Sequence, residues 1–267
     1  MCGIVGYIGD KGAGPLLLEG LKRLEYRGYD SAGVAVMNGN GVETRKAAGK
    51  ISRLETVLNA LPVAGTVGIA HTRWATHGAP TECNAHPHVS MDGTVAVVHN
   101  GIIENFSLLR SKLQALGYKF VSETDTEVLA HLIQEAYEDS LEQAVMDALS
   151  QVEGTYGIAV VSSRDPNKLV AARQGSPLLI GLGEGEYYVA SDVSAILSHT
   201  RQVVYLDDGD IAVLDRSGYR VFDNDAREMR RSVSKVDWDL GQIERGGYQH
   251  FMLKEIFEQP QTIENTM

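Results

Sequence analysis

Residues 156–161, Tyr-Gly-Ile-Ala-Val-Val, are apolar on both faces of a strand. Such a strand belongs inside a layered core, because each of its faces needs a cover. Further short strands are expected at 2–8, 31–37, 42–47, 66–71 and 94–99, and again at 155–162, 168–173, 178–180, 187–190, 203–206 and 210–215. Helical spacing joins Leu17, Leu21 and Leu24 after Pro15, and Ile51, Leu54, Leu58 and Leu61 before Pro62. It also joins Phe106, Leu109, Leu113 and Leu116 within a helix over 106–116, followed by helices over 126–137 and 141–149. Strands grouped on either side of a block of helices favour packed sheets covered by helices over βαβ winding. After Phe222 the pattern weakens, until a helical segment over 248–259 meets Pro260. No repeat of 20–50 residues occurs.

Composition narrows the function classes. The chain has 267 residues, 43% of them apolar, enough for a sizeable core. Its 35 acidic residues against 24 Lys plus Arg give a formal charge of −11. That balance argues against nucleic acid, where basic groups supply most of the affinity. No window reaches the ~18 apolar residues of a membrane span, and the first residues lack the basic-then-apolar pattern of a secretory leader. Two cysteines, Cys2 and Cys83, exclude a disulfide framework and a multi-cysteine zinc site. A cytoplasmic enzyme or binding domain is expected.

Four short blocks carry candidate chemistry. In Met1-Cys2-Gly3, removal of Met1 would leave Cys2 with a thiol and an α-amine in one residue. A free α-amine, with a pKa near ~7.7–8, can act as base toward its own thiol. An inert second residue is the bland alternative, against which stands the strand that would anchor this terminus. In His71-Thr72-Arg73-Trp74-Ala75-Thr76-His77-Gly78, the fork of Arg73 suits a carboxylate, or Arg73 is a surface residue beside a core tryptophan. In His99-Asn100-Gly101, a side-chain amide next to a glycine N–H can form an oxyanion hole, while Asn-Gly is also a common turn. Asp125 is either a helix N-cap or, if Thr124 and Glu127 form a capping box, free to hold an ammonium group. His86-Pro87-His88 could suggest a metal, but no carboxylates stand at ligand-like spacing, and no metal site is expected.

Together these blocks resemble the class II glutamine amidotransferases, whose glutaminase domains are N-terminal-nucleophile hydrolases. The resemblance rests on Cys2-Gly3-Ile4-Val5-Gly6, on Leu24-Glu25-Tyr26-Arg27-Gly28-Tyr29-Asp30-Ser31-Ala32-Gly33, and on His71 through Gly78. Asn84-Ala85-His86-Pro87-His88, His99 through Asn105, and Ser122 through Glu127 complete it. The Tyr26–Asp30 and Arg73–His77 blocks separate the chain from purine-pathway amidophosphoribosyltransferases and from asparagine synthetase. They bring it closest to glutaminase halves that feed a sugar isomerase in hexosamine synthesis.

The resemblance implies an α+β fold, a four-layer α/β/β/α sandwich of two mainly antiparallel sheets. It implies a glutaminase domain over 1–240, with 241–267 as a linker and the start of a missing isomerase domain. It makes Cys2 the nucleophile, with Asn100 and Gly101 as oxyanion hole. Arg73 would grip the α-carboxylate of glutamine with Thr76 and His77 beside it, Asp125 would take the α-ammonium, Arg27 would lie near the nucleophile, and Trp74 would sit on a closing segment. No cofactor is implied. The expected partners are L-glutamine and, through the missing domain only, fructose 6-phosphate, in a full-length homodimer or larger assembly. A glutaminase domain with another acceptor, or a silent glutamine-binding module, are the alternatives.

Overall fold

The computed structural model describes residues 2–237 and 247–266. The first part of the chain forms β1 (Gly3–Ile8), α1 (Ala13–Arg23), β2 (Ser31–Asn38), β3 (Gly41–Ala48), α2 (Ile51–Ala60), β4 (Val67–Arg73), β5 (His88–Val89) and β6 (Val95–Ile103). Three helices follow, α3 (Phe106–Ala115), α4 (Thr126–Glu135) and α5 (Leu141–Leu149). Then come β7 (Gly154–Ser162), β8 (Asp165–Gln174), β9 (Leu179–Leu182), β10 (Tyr187–Ala190), β11 (Gln202–Tyr205), β12 (Ile211–Asp215) and β13 (Gly218–Phe222). Two short strands, β14 (Glu228–Met229) and β15 (Ser234–Lys235), precede α6 (Phe251–Thr266).

Among the described residues, eight strands form one sheet in the order β15-β11-β9-β10-β1-β4-β2-β3, and seven form another, β14-β13-β12-β8-β7-β6-β5. Their paired neighbours run antiparallel. Period-2 alternation sends successive side chains into different layers. From β1, Ile4 and Ile8 meet Ala96 and Val98 of β6 and Ala159 and Val161 of β7 between the sheets. On the opposite side, Val5 and Tyr7 pack with Leu17 and Leu21 of α1 and Leu54 of α2. Ile158 and Val160 of β7 pack outward with Leu109 and Leu113 of α3, Leu129 and Ile133 of α4, and Val145 of α5. Helix, sheet, sheet and helix therefore stack as four layers. Each such buried Leu or Ile stabilises the fold by roughly 1.5–3 kcal/mol.

Several local expectations shift. Leu61 and Leu116, expected on the buried helical faces, lie just past the ends of α2 and α3 and are exposed. The strand expected to end at His99 continues through Asn100 and Gly101 to Ile103. The helix expected to meet Pro260 runs through it to Thr266. Proline supplies no N–H there, so one i−4 carbonyl loses its helical donor. Met1 and the expected boundary at 240–241 lie outside the described residues. No described helix is long and apolar enough to cross a membrane.

Candidate active site

Sheet register delivers the first group of residues. Gly3 of β1 pairs with Thr72 of β4, which carries Cys2 alongside Arg73 and Trp74 at the end of β4. Ser31 of β2 pairs with Arg73 on the other side of β4, bringing Asp30 to the same end. The Trp74 N–H donates to Cys2 Sγ at 3.1 Å, and the thiol donates to the Trp74 carbonyl at 3.6 Å. Burial pushes the Cys2 thiol above its ordinary pKa, while the Trp74 N–H and Arg73 pull it down. At neutral pH the thiol is therefore protonated.

Arg73 is buried and Trp74 exposed, the reverse of a surface arginine beside a core tryptophan. Its guanidinium brackets the next loop, donating from Nη2 to the carbonyls of His77 and Gly78 and from Nη1 to that of Ala79. The start of this loop is pinned by Asp30, whose Oδ2 accepts from the Ala75 N–H at 2.5 Å. A Cβ on Gly28 would come within 2.6 Å of the Trp74 ring, so the indole lies directly on that glycine's backbone. The Thr76 hydroxyl is 3.3 Å from His77 Nδ1, and the His77 ring meets Phe106 edge-on. Arg27 lies near Asp192, with Nη1 3.8 Å from its carboxylate, and donates to the Ser191 hydroxyl at 3.4 Å.

The other sheet supplies Asn100 and Gly101 from within β6, not from a turn. Gly101 has φ +135°, and a Cβ there would lie 2.0 Å from the Thr155 carbonyl, so no other residue fits. Asn100 Nδ2 donates to the Cys2 carbonyl at 3.3 Å, which ties the two sheets together at Cys2. Asp125 precedes α4 but makes no side-chain cap to it; its Oδ2 accepts instead from the Ile103 N–H at 2.9 Å. The expected Thr124–Glu127 capping box does not form as drawn. Glu127 accepts from the Val121 and Ser122 N–H groups and the Ser122 hydroxyl, while Thr124 pairs with Ser122 and with His88 Nε2. Burial alone would raise the Glu127 carboxyl, but His131, Ser122 and these N–H groups hold it down to about 2.

All nine residues singled out in the sequence line one cavity of about 290 Å³. Its walls carry two buried charges. Arg73 is 3% exposed and Asp125 4% exposed, and among the described residues neither has an oppositely charged side chain within 4.0 Å. Arg73 is satisfied by three loop carbonyls and Asp125 by the Ile103 N–H and the Thr126 hydroxyl, yet a ligand carrying a carboxylate and an ammonium would meet an opposite charge on each wall. Sequence reasoning missed Ser176 and Pro177 of the β8–β9 loop, which also line the cavity, and the supporting residues Asp30 and His71. Asp30 and His71 lie within blocks that carry the resemblance but were given no role, and Ser176 and Pro177 sit in no recognisable local pattern; only tertiary contact reveals what these residues do. Among the described residues no group of three or more His, Cys, Asp or Glu could hold a metal ion.

A family model described as a glutamine amidotransferase domain matches residues 71–198. The chain is 54% identical over its whole length to a glutamine–fructose-6-phosphate aminotransferase (isomerizing) of Clostridium tetani, and 55% identical to one of Chlorobaculum tepidum. It spans 44% of the length of each of these curated relatives. Among solved structures it resembles the glutamine phosphoribosylpyrophosphate amidotransferase of B. subtilis, with a TM-score of 0.74 and 26% identity over 86% of this chain and 50% of that one. It also resembles an allosteric regulatory enzyme of purine biosynthesis, with a TM-score of 0.73 and 28% identity over 84% of this chain and 49% of that one. Whole-length identity above one half, the matched domain and the shared fold place this chain in the class II glutamine amidotransferase family.

Proposed function

We propose that the chain hydrolyses L-glutamine to glutamate and ammonia through a thioester on Cys2. The observation that carries this is that Arg73 and Asp125, neither facing an opposite charge among the described residues, share one cavity with the Cys2 thiol. A free amino acid supplies a carboxylate for Arg73 and an ammonium for Asp125, which leaves its side chain to reach the thiol. Thr76 and His77, on the loop that Arg73 braces, complete the carboxylate end, with Arg27 near the nucleophile and Trp74 on the segment that closes over the substrate.

Once Met1 is removed, the Cys2 α-amine takes the thiol proton, directly or through water, and the thiolate attacks the side-chain amide carbon. Negative charge develops on the amide oxygen, where the second Asn100 Nδ2–H and the Gly101 N–H receive it. The C–N bond then breaks as the nitrogen takes the proton from the α-ammonium, and ammonia leaves. Water, deprotonated by the same amine, attacks the thioester, releasing glutamate and restoring the thiol. No step requires a cofactor.

The relatives' name couples glutamine to fructose 6-phosphate, and we assign this chain the ammonia-producing half of that reaction. The sugar phosphate and assembly into dimers or larger oligomers then belong to the part of those relatives that this chain does not span, beyond an expected boundary at 240–241. Two free thiols fit a reducing cytoplasm. Incubating the chain, verified by mass to begin at Cys2, with L-glutamine should yield glutamate and ammonia in equal amounts. Added fructose 6-phosphate should yield no amino sugar. Glutamine binding without turnover would overturn the catalytic reading in favour of a silent binding module.

A further inference from the structure

Apart from His77, the histidines clustered between 71 and 99 have no assigned task, and one of them touches the oxyanion hole. His71 is fully buried in β4, and its Nε2 lies 2.9 Å from Asn100 Oδ1. The other end of the Asn100 amide faces the Cys2 carbonyl at 3.3 Å. A carbonyl only accepts, so the atom facing it must be the NH₂ group, and Oδ1 must therefore face His71. His71 then has to donate, which fixes its proton on Nε2. Its Nδ1 has no partner, as that tautomer allows, and the His86 ring lies tilted beside it with centroids 4.3 Å apart.

We propose that His71 is a positioning residue for glutamine hydrolysis: its Nε2–H locks the Asn100 side chain so that one Nδ2–H holds the Cys2 carbonyl and the other points to the developing oxyanion. Burial keeps the ring neutral, with a pKa pushed down to about 3, so the lock persists across the working pH range. Without this donor, the amide is free to turn its oxygen toward the substrate oxygen, where it repels charge instead of stabilising it.

The inference rests on the glutaminase reading above, and its test separates the two. In the wild-type chain, ¹⁵N-edited spectra of the imidazoles should show His71 as the neutral Nε2–H tautomer from pH 5.5 to 8. An Nδ1–H tautomer or a protonated ring would overturn the proposal whether or not glutamine is hydrolysed. Failure of wild type to hydrolyse glutamine would instead sink the functional reading. His71→Phe should lower kcat by about 10–100-fold with KM within threefold, below the full loss of an oxyanion donor. Affinity for glutamate γ-semialdehyde, which forms a tetrahedral adduct with Cys2, should fall by a similar factor, while affinity for glutamate stays within threefold. His71→Gln, which can present an N–H to the same oxygen, should recover most of the loss. A folded His71→Phe with unchanged kcat, or with product and aldehyde binding weakened alike, would overturn the proposal.

Discussion

Asp125 and Arg73 are costly residues to bury, and their worth depends on what they meet. A hydrogen bond to a charged group contributes about 1.5–3 kcal/mol, so Asp125→Ala should lower kcat/KM for glutamine by about 10–100-fold. The same variant should lose little with N-acetylglutamine, because that substrate has no ammonium to bind. Equal losses on both substrates would instead assign Asp125 to the Ile103 N–H alone. The residues that line this cavity were legible because their types suggest a chemistry: a cysteine second in the chain, a fork of donors, an amide beside a glycine. The lock on Asn100 was not legible, since His71 and Asn100 are far apart in sequence and meet only across the two sheets.

The loop after β4 behaves as a separate element held at both ends. Asp30 fixes its start through the Ala75 N–H, and Arg73 braces its end through the carbonyls of residues 77–79. Asp30→Ala should free the start and raise KM for glutamine by roughly tenfold or more, with little change in melting temperature. Steady-state kinetics with a thermal melt checks this, and an unchanged KM would show that Arg73 alone suffices. Apolar periodicity located the helices and eleven of the fifteen strands among the described residues, because each layer buries a full face, but not β5, β13, β14 or β15. It failed at element ends. Leu61 and Leu116 keep the helical spacing, but the backbone has already left the helix, so their side chains point outward. The Asn100-Gly101 pair looks like a turn, yet pairing with β7 carries the strand on to Ile103.

At the scale of the whole molecule, the buried histidines tie stability to pH. Burial pushes His71 and His88 down to about 3, and lowers His86 and His99 as well. The unfolded chain therefore binds more protons than the folded one between pH 6.5 and about 3, and stability falls as pH drops through that window. At pH 5, His71 and His88 should each cost about 2 kcal/mol relative to neutral pH. The low carboxyl of Glu127 adds its own loss only below pH 4.5. Urea midpoints should accordingly decline between pH 7 and 5, and a flat profile there would contradict neutral, buried histidines. The central claim remains the covalent step at Cys2, and it is tested most directly by acid-quenching the chain during turnover and mapping the mass of its N-terminal peptide. A γ-glutamyl group on Cys2, with no glutamate released by Cys2→Ala, is the predicted result. An acyl group on another residue, or full glutamate release by Cys2→Ala, would contradict the account.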